Sequence, residues 1–317
     1  MSRMQAMSLS LVVGLAAAVA SAQPAFEFST GNPDGLMAVA SRPESTGNIE
    51  IEAADDFILA SEVRLLAAKF VGLIPLEAGA DTVESVTIEI YRVFPLDSDL
   101  TRTIRVPTRN NSPSDVAFAV REEVSAFGVE ILGDYFPAAN SVLDGIHPSP
   151  QQNTQGDGPV TGRPVRITAN LLDEIDLPPG HYFFVPQVKL TSGQFFWLSA
   201  PRPIVAPGTP FVGDLQAWIR NGNLDPDWLR IGTDIVGGTP APTFNMSFEL
   251  LGKFACYANC DGSSAAPTLN VNDFQCFLNA FAAGAAYANC DESTAAPILN
   301  VNDFQCYVNK YAEGCAN

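Results

Sequence analysis

Over most of the chain, apolar residues recur at every second position. Val86, Ile88 and Ile90 alternate with Thr87, Glu89 and Tyr91, and Val165, Ile167 and Ala169 keep the same period. Phe244, Met246, Phe248 and Leu250 do so again. Successive strand side chains point to opposite faces, so this alternation predicts half-buried strands. Further strands are predicted at 56–59, 63–73, 181–190, 195–198 and 215–219. Clusters of Pro, Gly, Asn and Asp at 110–114 and 151–162 read as the turns between them. No sustained helical period or strand–helix alternation interrupts this region. Residues 23–250 are therefore expected to form a two-sheet β-sandwich or jelly roll.

The period changes near the C-terminus. Phe274, Phe277, Leu278 and Phe281 fall at i, i+3, i+4 and i+7, the spacing of a helix with one apolar face, and Gly284 is placed to end it. Phe304, Tyr307, Val308 and Tyr311 repeat the plan before Gly314. Both helices belong to an internal duplication. Residues 257–276 and 287–306 align with a period of 30 and differ at three of twenty positions, which chance does not produce. The repeats span 257–284 and 287–314. The chain as a whole thus reads as mainly β, with a small α-helical module over 251–317.

The N-terminus reads as a processing segment. Arg3 precedes an apolar run from about Leu9 to Ala20, and Ala20-Ser21-Ala22 has the small-x-small pattern of a cleavage site. Residues 1–22 are expected to be a signal peptide and the protein secreted; a buried N-terminal helix is the alternative. The run is short for a bilayer, and no later stretch is longer, so no membrane span is expected. Export implies an oxidising compartment, and the six cysteines all lie between Cys256 and Cys315, in the module least able to build a large core. A net charge of −18 repels nucleic acid and anionic membranes. It suits cation binding, or solubility alone.

Each repeat places oxygen-bearing side chains at alternate positions ahead of its helix. In the first these are Asn259, Asp261 and Ser263, with Asn270 and Asp273 where the helix begins. In the second they are Asn289, Asp291 and Ser293, then Asn300 and Asp303. Alternation on a curled backbone aims successive oxygens at one central cation, as in an EF-hand-like calcium loop.

Two loop–helix repeats that close in Leu-Asn-Val-Asn-Asp-Phe, with Asn-Cys-Asp and Asp-Phe-Gln-Cys elements, resemble a dockerin domain of the cysteine-containing (GC-type) variety. The resemblance covers about residues 256–317 and nothing earlier. It implies calcium as cofactor, with the ten residues just named at loop positions one, three, five, nine and twelve. It also implies two docking faces related by a half turn and a cohesin-type scaffold or cell-surface partner. Asn272, Asn279, Asn302 and Asn309 are expected to face that partner. Asn259 to Asp273 spans 15 residues, longer than a regular loop, and position one is Asn rather than Asp. With two well-placed carboxylates per loop, Asp261 with Asp273 and Asp291 with Asp303, calcium affinity is expected at the extracellular end, about 10⁻⁴ to 10⁻³ M. The alternative is a pair of loops that have lost calcium and are held by disulfides.

Sequence alone does not choose among the pairings that six cysteines allow. The symmetry of the repeat favours Cys260–Cys276 and Cys290–Cys306, which leaves Cys256 with Cys315 to clasp the ends. A zinc site is disfavoured, since the module has no histidine.

The large domain carries less chemistry. His147 and His181 are its only histidines, and His181 reads as an exposed turn residue after Pro178-Pro179-Gly180. No nucleophile elbow, His-Glu-x-x-His or phosphate-cradling loop occurs. Asp55-Asp56 reads as a turn entering a strand, with a cation or hydroxyl-rich ligand as the alternative. Asn221, Asn223, Asp225 and Asp227 alternate beside Trp228, which suggests a ligand rim for calcium or carbohydrate, or else a plain turn. Trp197 and Trp218 are expected in the core. Two functions follow. The first is a non-catalytic binding or assembly protein anchored through its C-terminal module. The alternative is an extracellular polysaccharide-degrading enzyme, a glycoside hydrolase, bearing that module; it requires two carboxylates facing each other across an open cleft.

Overall fold

The computed structural model describes residues 25–59, 62–147, 153–201, 213–254 and 256–315, apart from 262, 264–266, 292 and 294–295. The expected signal peptide at 1–22 lies outside the described residues, as do positions 151 and 152 of one predicted turn. Two compact units are present: Ala25–Ala255, and a C-terminal unit that begins at Cys256.

The larger unit is mainly β and contains a ten-stranded and a six-stranded sheet. The axis of the larger sheet is the strand Val63–Ile74. It pairs with Val160–Leu177 along one edge, and with Phe248–Phe254 and then Phe196–Ala200 along the other. Gly72 sits where that last strand crosses close: a Cβ there would lie 2.3 Å from the Phe195 ring and 2.5 Å from the Phe196 carbonyl. The smaller sheet is centred on Ile51–Leu59 and Gly180–Leu190, flanked by Val83–Arg92 and Trp218–Asn221.

The alternating residues do what their period predicts. Val165, Ile167, Ala169, Val86, Ile88 and Ile90 are all buried in one core to which both sheets contribute. Phe184 of the smaller sheet stacks on Phe248 of the larger at 5.1 Å, and Trp197 meets Phe184 edge-on at 5.8 Å.

Three expectations need correction. Asp55 and Asp56 are not a turn: they lie in the middle of Ile51–Leu59, 0% and 2% exposed. His181 is not an exposed turn residue; its ring is bonded to Asp56 at 2.5 Å. The outer face of the smaller sheet is also drier than its polar residues suggested. Tyr91 and Trp218 on that face join Phe183, Leu215 and Trp228 in a second apolar cluster, beneath segments around Ser114, Ala117 and Leu215. That coverage comes from residues distant in sequence, so local alternation could not report it.

In the C-terminal unit, α1 (Val271–Ala282) and α2 (Val301–Glu313) occupy the predicted positions. Asn270 and Asn300 cap them, each in a reciprocal box with the aspartate three residues on, so the first orphan N–H groups of both helices are satisfied. Gly284 and Gly314 follow the helices at φ +70° and +79°, where a Cβ would be strained. Phe277 and Tyr307 are fully buried and stack at 4.0 Å. Leu278, expected on the buried face, is 37% exposed. The three disulfides are Cys256–Cys315, Cys260–Cys276 and Cys290–Cys306, the pairing that the symmetry of the repeat favoured. Among the described residues, no helix is long and apolar enough to cross a membrane.

Candidate functional site

The two loops are built alike. In the first, the buried Asp273 carboxylate accepts the N–H of Asp261 at 3.1 Å and that of Asn270 at 2.8 Å. In the second, Asp303 accepts Asp291 N–H at 3.2 Å and Asn300 N–H at 2.8 Å. Each aspartate therefore closes its loop and starts its helix with the same side chain. Burial opposes the Asp303 charge, but the N–H donors of Asn300 and Asp291 outweigh it and hold this carboxyl below its ordinary value.

Asp261 accepts Ser263 N–H, and the Asn259 amide donates to the Ser263 carbonyl. Asn289, Asp291 and Ser293 repeat these contacts. Among the described residues the buried Asn259 Oδ1 has no hydrogen-bond donor, whereas Asn289 Oδ1 accepts Ser293 N–H at 3.1 Å. With Asp261, Ser263 and Asp273, the Asn259 carbonyl oxygen belongs to an all-oxygen donor set, the chemistry that suits a hard cation such as calcium better than zinc. Among the described residues no three acidic, histidine or cysteine side chains converge on a metal position.

The repeats pack on each other reciprocally. Tyr257 Oη donates to the Tyr287 carbonyl and Tyr287 Oη to the Tyr257 carbonyl, both at 2.6 Å. Their rings stack at 4.9 Å, and Phe274 meets Phe304 at 5.8 Å. Contacts between residues 30 apart, each made in both directions, are what a two-fold axis produces. The helix starts are consequently presented twice. Val271 and Val301 are 77% and 76% exposed, beside exposed Asn272 and Asn302; Asn279 and Asn309 are exposed as well.

In the β unit the suspected rim does not come together. Trp228 is 1% exposed and donates to the Ser114 carbonyl, so no indole face is open to a ligand. Asp227 is buried on Arg102, and the Asn221 amide donates inward to the Ile146 carbonyl. Asp225 reaches Arg220 at 2.8 Å, and Asn223 N–H bonds to Asn221 in the turn itself. Asp55 and Asp56 also serve the fold: Asp55 accepts Met246 N–H at 2.7 Å, and Asp56 accepts Leu215 N–H at 2.9 Å. Burial pushes Asp55 well above the usual carboxylate range, with Asp56 and Asp214 adding to the effect.

Sequence reasoning missed a charged network on the covered sheet face. Arg220 forks onto Glu52, donates to Tyr91 Oη at 2.8 Å and lies 4.3 Å over the Trp228 ring. Tyr91 Oη also contacts Glu52 at 3.0 Å and Glu89 at 2.7 Å. A phenol has one proton, so bonding both carboxyls requires that one of them carry a proton too. Of the two carboxyls, Glu52 is the one that the Arg220 guanidinium grips. Burial and then the Glu52 charge push Glu89 up to about 8. Glu52, followed by Asp55 and Asp56 in the run Ile51–Leu59, was a faint signal of this network, since acids buried in a strand need a cation or hydrogen-bond donors nearby.

A pH dependence follows. The folded state keeps a proton on Glu89 that the unfolded chain releases at its ordinary value, so stability is full below that value and falls as pH rises toward 8. The share of the slope due to Glu89 is at most ~1.4 kcal/mol per pH unit, and raised carboxyls such as Asp55 add to it. Glu89→Gln should remove the Glu89 share and leave a shallower slope. Urea midpoints at pH 5, 6.5 and 8 test this, and an equal slope in both proteins would count against the assignment.

No family model matches the chain, and no curated protein or solved structure matches it.

Proposed function

We propose that this is a secreted, non-catalytic binding or assembly protein. Its C-terminal unit is a dockerin-like module that takes up calcium in two loops and docks onto a cohesin-type or cell-surface partner. Its larger unit is a β-sandwich that holds the second ligand. The observation that carries this reading is the reciprocal packing of the repeats, which displays two equivalent helix starts with exposed valine and asparagine. Each start adjoins an all-oxygen loop, so cation binding would stiffen the surface that docks. Against a glycosidase stands the position of the acids in the β unit. Glu52, Asp55 and Asp56 are buried on protein partners and do not face an open cleft.

Calorimetry on the oxidised full chain should show saturable calcium binding, about two ions with affinity near 10⁻⁴ to 10⁻³ M. Asp273→Asn with Asp303→Asn should weaken it at least tenfold. A partner captured in calcium should be released by chelator. Absence of saturable heat would sink the calcium reading, and capture indifferent to chelator would separate docking from the loops.

A further inference from the structure

We propose that the β unit binds a neutral carbohydrate in a groove on the outer face of its ten-stranded sheet. This rests on the binding reading of the β unit and is independent of docking by the C-terminal unit. The groove encloses about 410 Å³, within the range of small-molecule sites. Sheet register assembles its floor. Ser29 pairs with Glu249, Glu249 with Lys69, and Lys69 with Thr168, giving one polar row across four strands. Arg166 and Glu130 pair in the next row. The neighbours Phe70, Ile167 and Phe248 are buried in the core, so strand alternation turns Lys69, Thr168 and Glu249 outward.

The lining chooses among ligand classes. The bordering phenylalanines send their rings into the core, so no aromatic platform favours a flat apolar ligand. Lys69 already has Glu249 at 2.7 Å and Arg166 has Glu130 at 2.8 Å, so neither cation is spare for an anionic ligand. The chain's charge of −18 repels such a ligand further. A sugar hydroxyl both donates and accepts. Vicinal hydroxyls can therefore enter each ion pair, giving one bond to the carboxylate and taking one from the ammonium or guanidinium. The side chains involved are 28–63% exposed, and pairs screened by water to that degree open at little cost. The Thr168 and Ser29 hydroxyls extend the same chemistry to either side.

The test is ligand-detected NMR titration of the full oxidised chain in EDTA, which keeps calcium out of the repeat loops. Probes are neutral gluco-, xylo-, manno- and galacto-oligosaccharides, with oligogalacturonate as the charged control. At least one neutral series should saturate. Thr168→Trp, which fills the groove, should weaken binding at least tenfold. Glu130→Ala should weaken it at least threefold and carries the test if the tryptophan variant does not fold, because Glu130 is 63% exposed. Three results would each overturn the proposal: no neutral series saturates, oligogalacturonate binds more tightly, or binding is unchanged in the folded variants. None of them touches the docking reading, which stands or falls on the calcium titration.

Discussion

Reduction of the three disulfides should unfold the C-terminal unit and leave the β unit folded. The fully enclosed core of the C-terminal unit is small, with Phe277, Tyr307, Ala288 and Cys290 at its centre. A core of this kind supplies at most about 3–5 kcal/mol. The bridges close loops with sequence separations of 16, 16 and 59. In the chain-entropy model each short bridge contributes about 3 kcal/mol and the long one about 4. Their loss exceeds what the core can supply. The β unit contains no cysteine and all three tryptophans, Trp197, Trp218 and Trp228. Far-ultraviolet circular dichroism in chelator should therefore lose its helical component on reduction, while tryptophan fluorescence stays native. Retention of the helical signal after mass spectrometry shows six free thiols would refute the prediction.

Arg220→Met should destabilise the β unit by about 3–5 kcal/mol. Methionine keeps much of the apolar stem, so the loss lies mainly in the charge. Glu52, 2% exposed, would keep its carboxylate with no cation beside it, and Tyr91 would lose one of its three polar neighbours. The contacts with the Trp228 and Tyr91 rings, at 4.3 and 5.2 Å, would go too. If the stranded charge dominates, Glu52→Gln in the same background should recover part of the loss. Urea unfolding followed by tryptophan fluorescence reads the β unit directly. A loss under about 1 kcal/mol, or no recovery in the double variant, would mean that the network contributes little to stability.

How legible each element was depended on how local its cause is. The strands around Ile88 and Ile167 were visible because period two is a property of one segment. The helices were visible for the same reason at period 3.6, and their ends because Asn270, Asp273 and Gly284 act within a few residues of themselves. The disulfides were legible through symmetry, since two copies of one sequence close in the same way. Trp197 and Trp218 are buried as their surroundings suggested.

Where two distant segments meet, the sequence was silent or misleading. Asp55-Asp56 and Asn221–Trp228 have the composition of turns and ligand rims, yet Asp56, Asp227 and Trp228 are spent on Leu215, Arg102 and Ser114. The carboxyl pair across Tyr91 joins Ile51–Leu59 and Val83–Arg92 across the strand Gly180–Leu190 between them, and the polar row of the groove floor takes one residue from each of four strands. Sequence by itself determined a duplicated loop–helix module and the inward faces of the strands, because periodicity and repetition are written along one dimension. Tertiary structure alone decided which polar residues are buried on partners and which remain open to a ligand, because register and coverage depend on how separate strands meet.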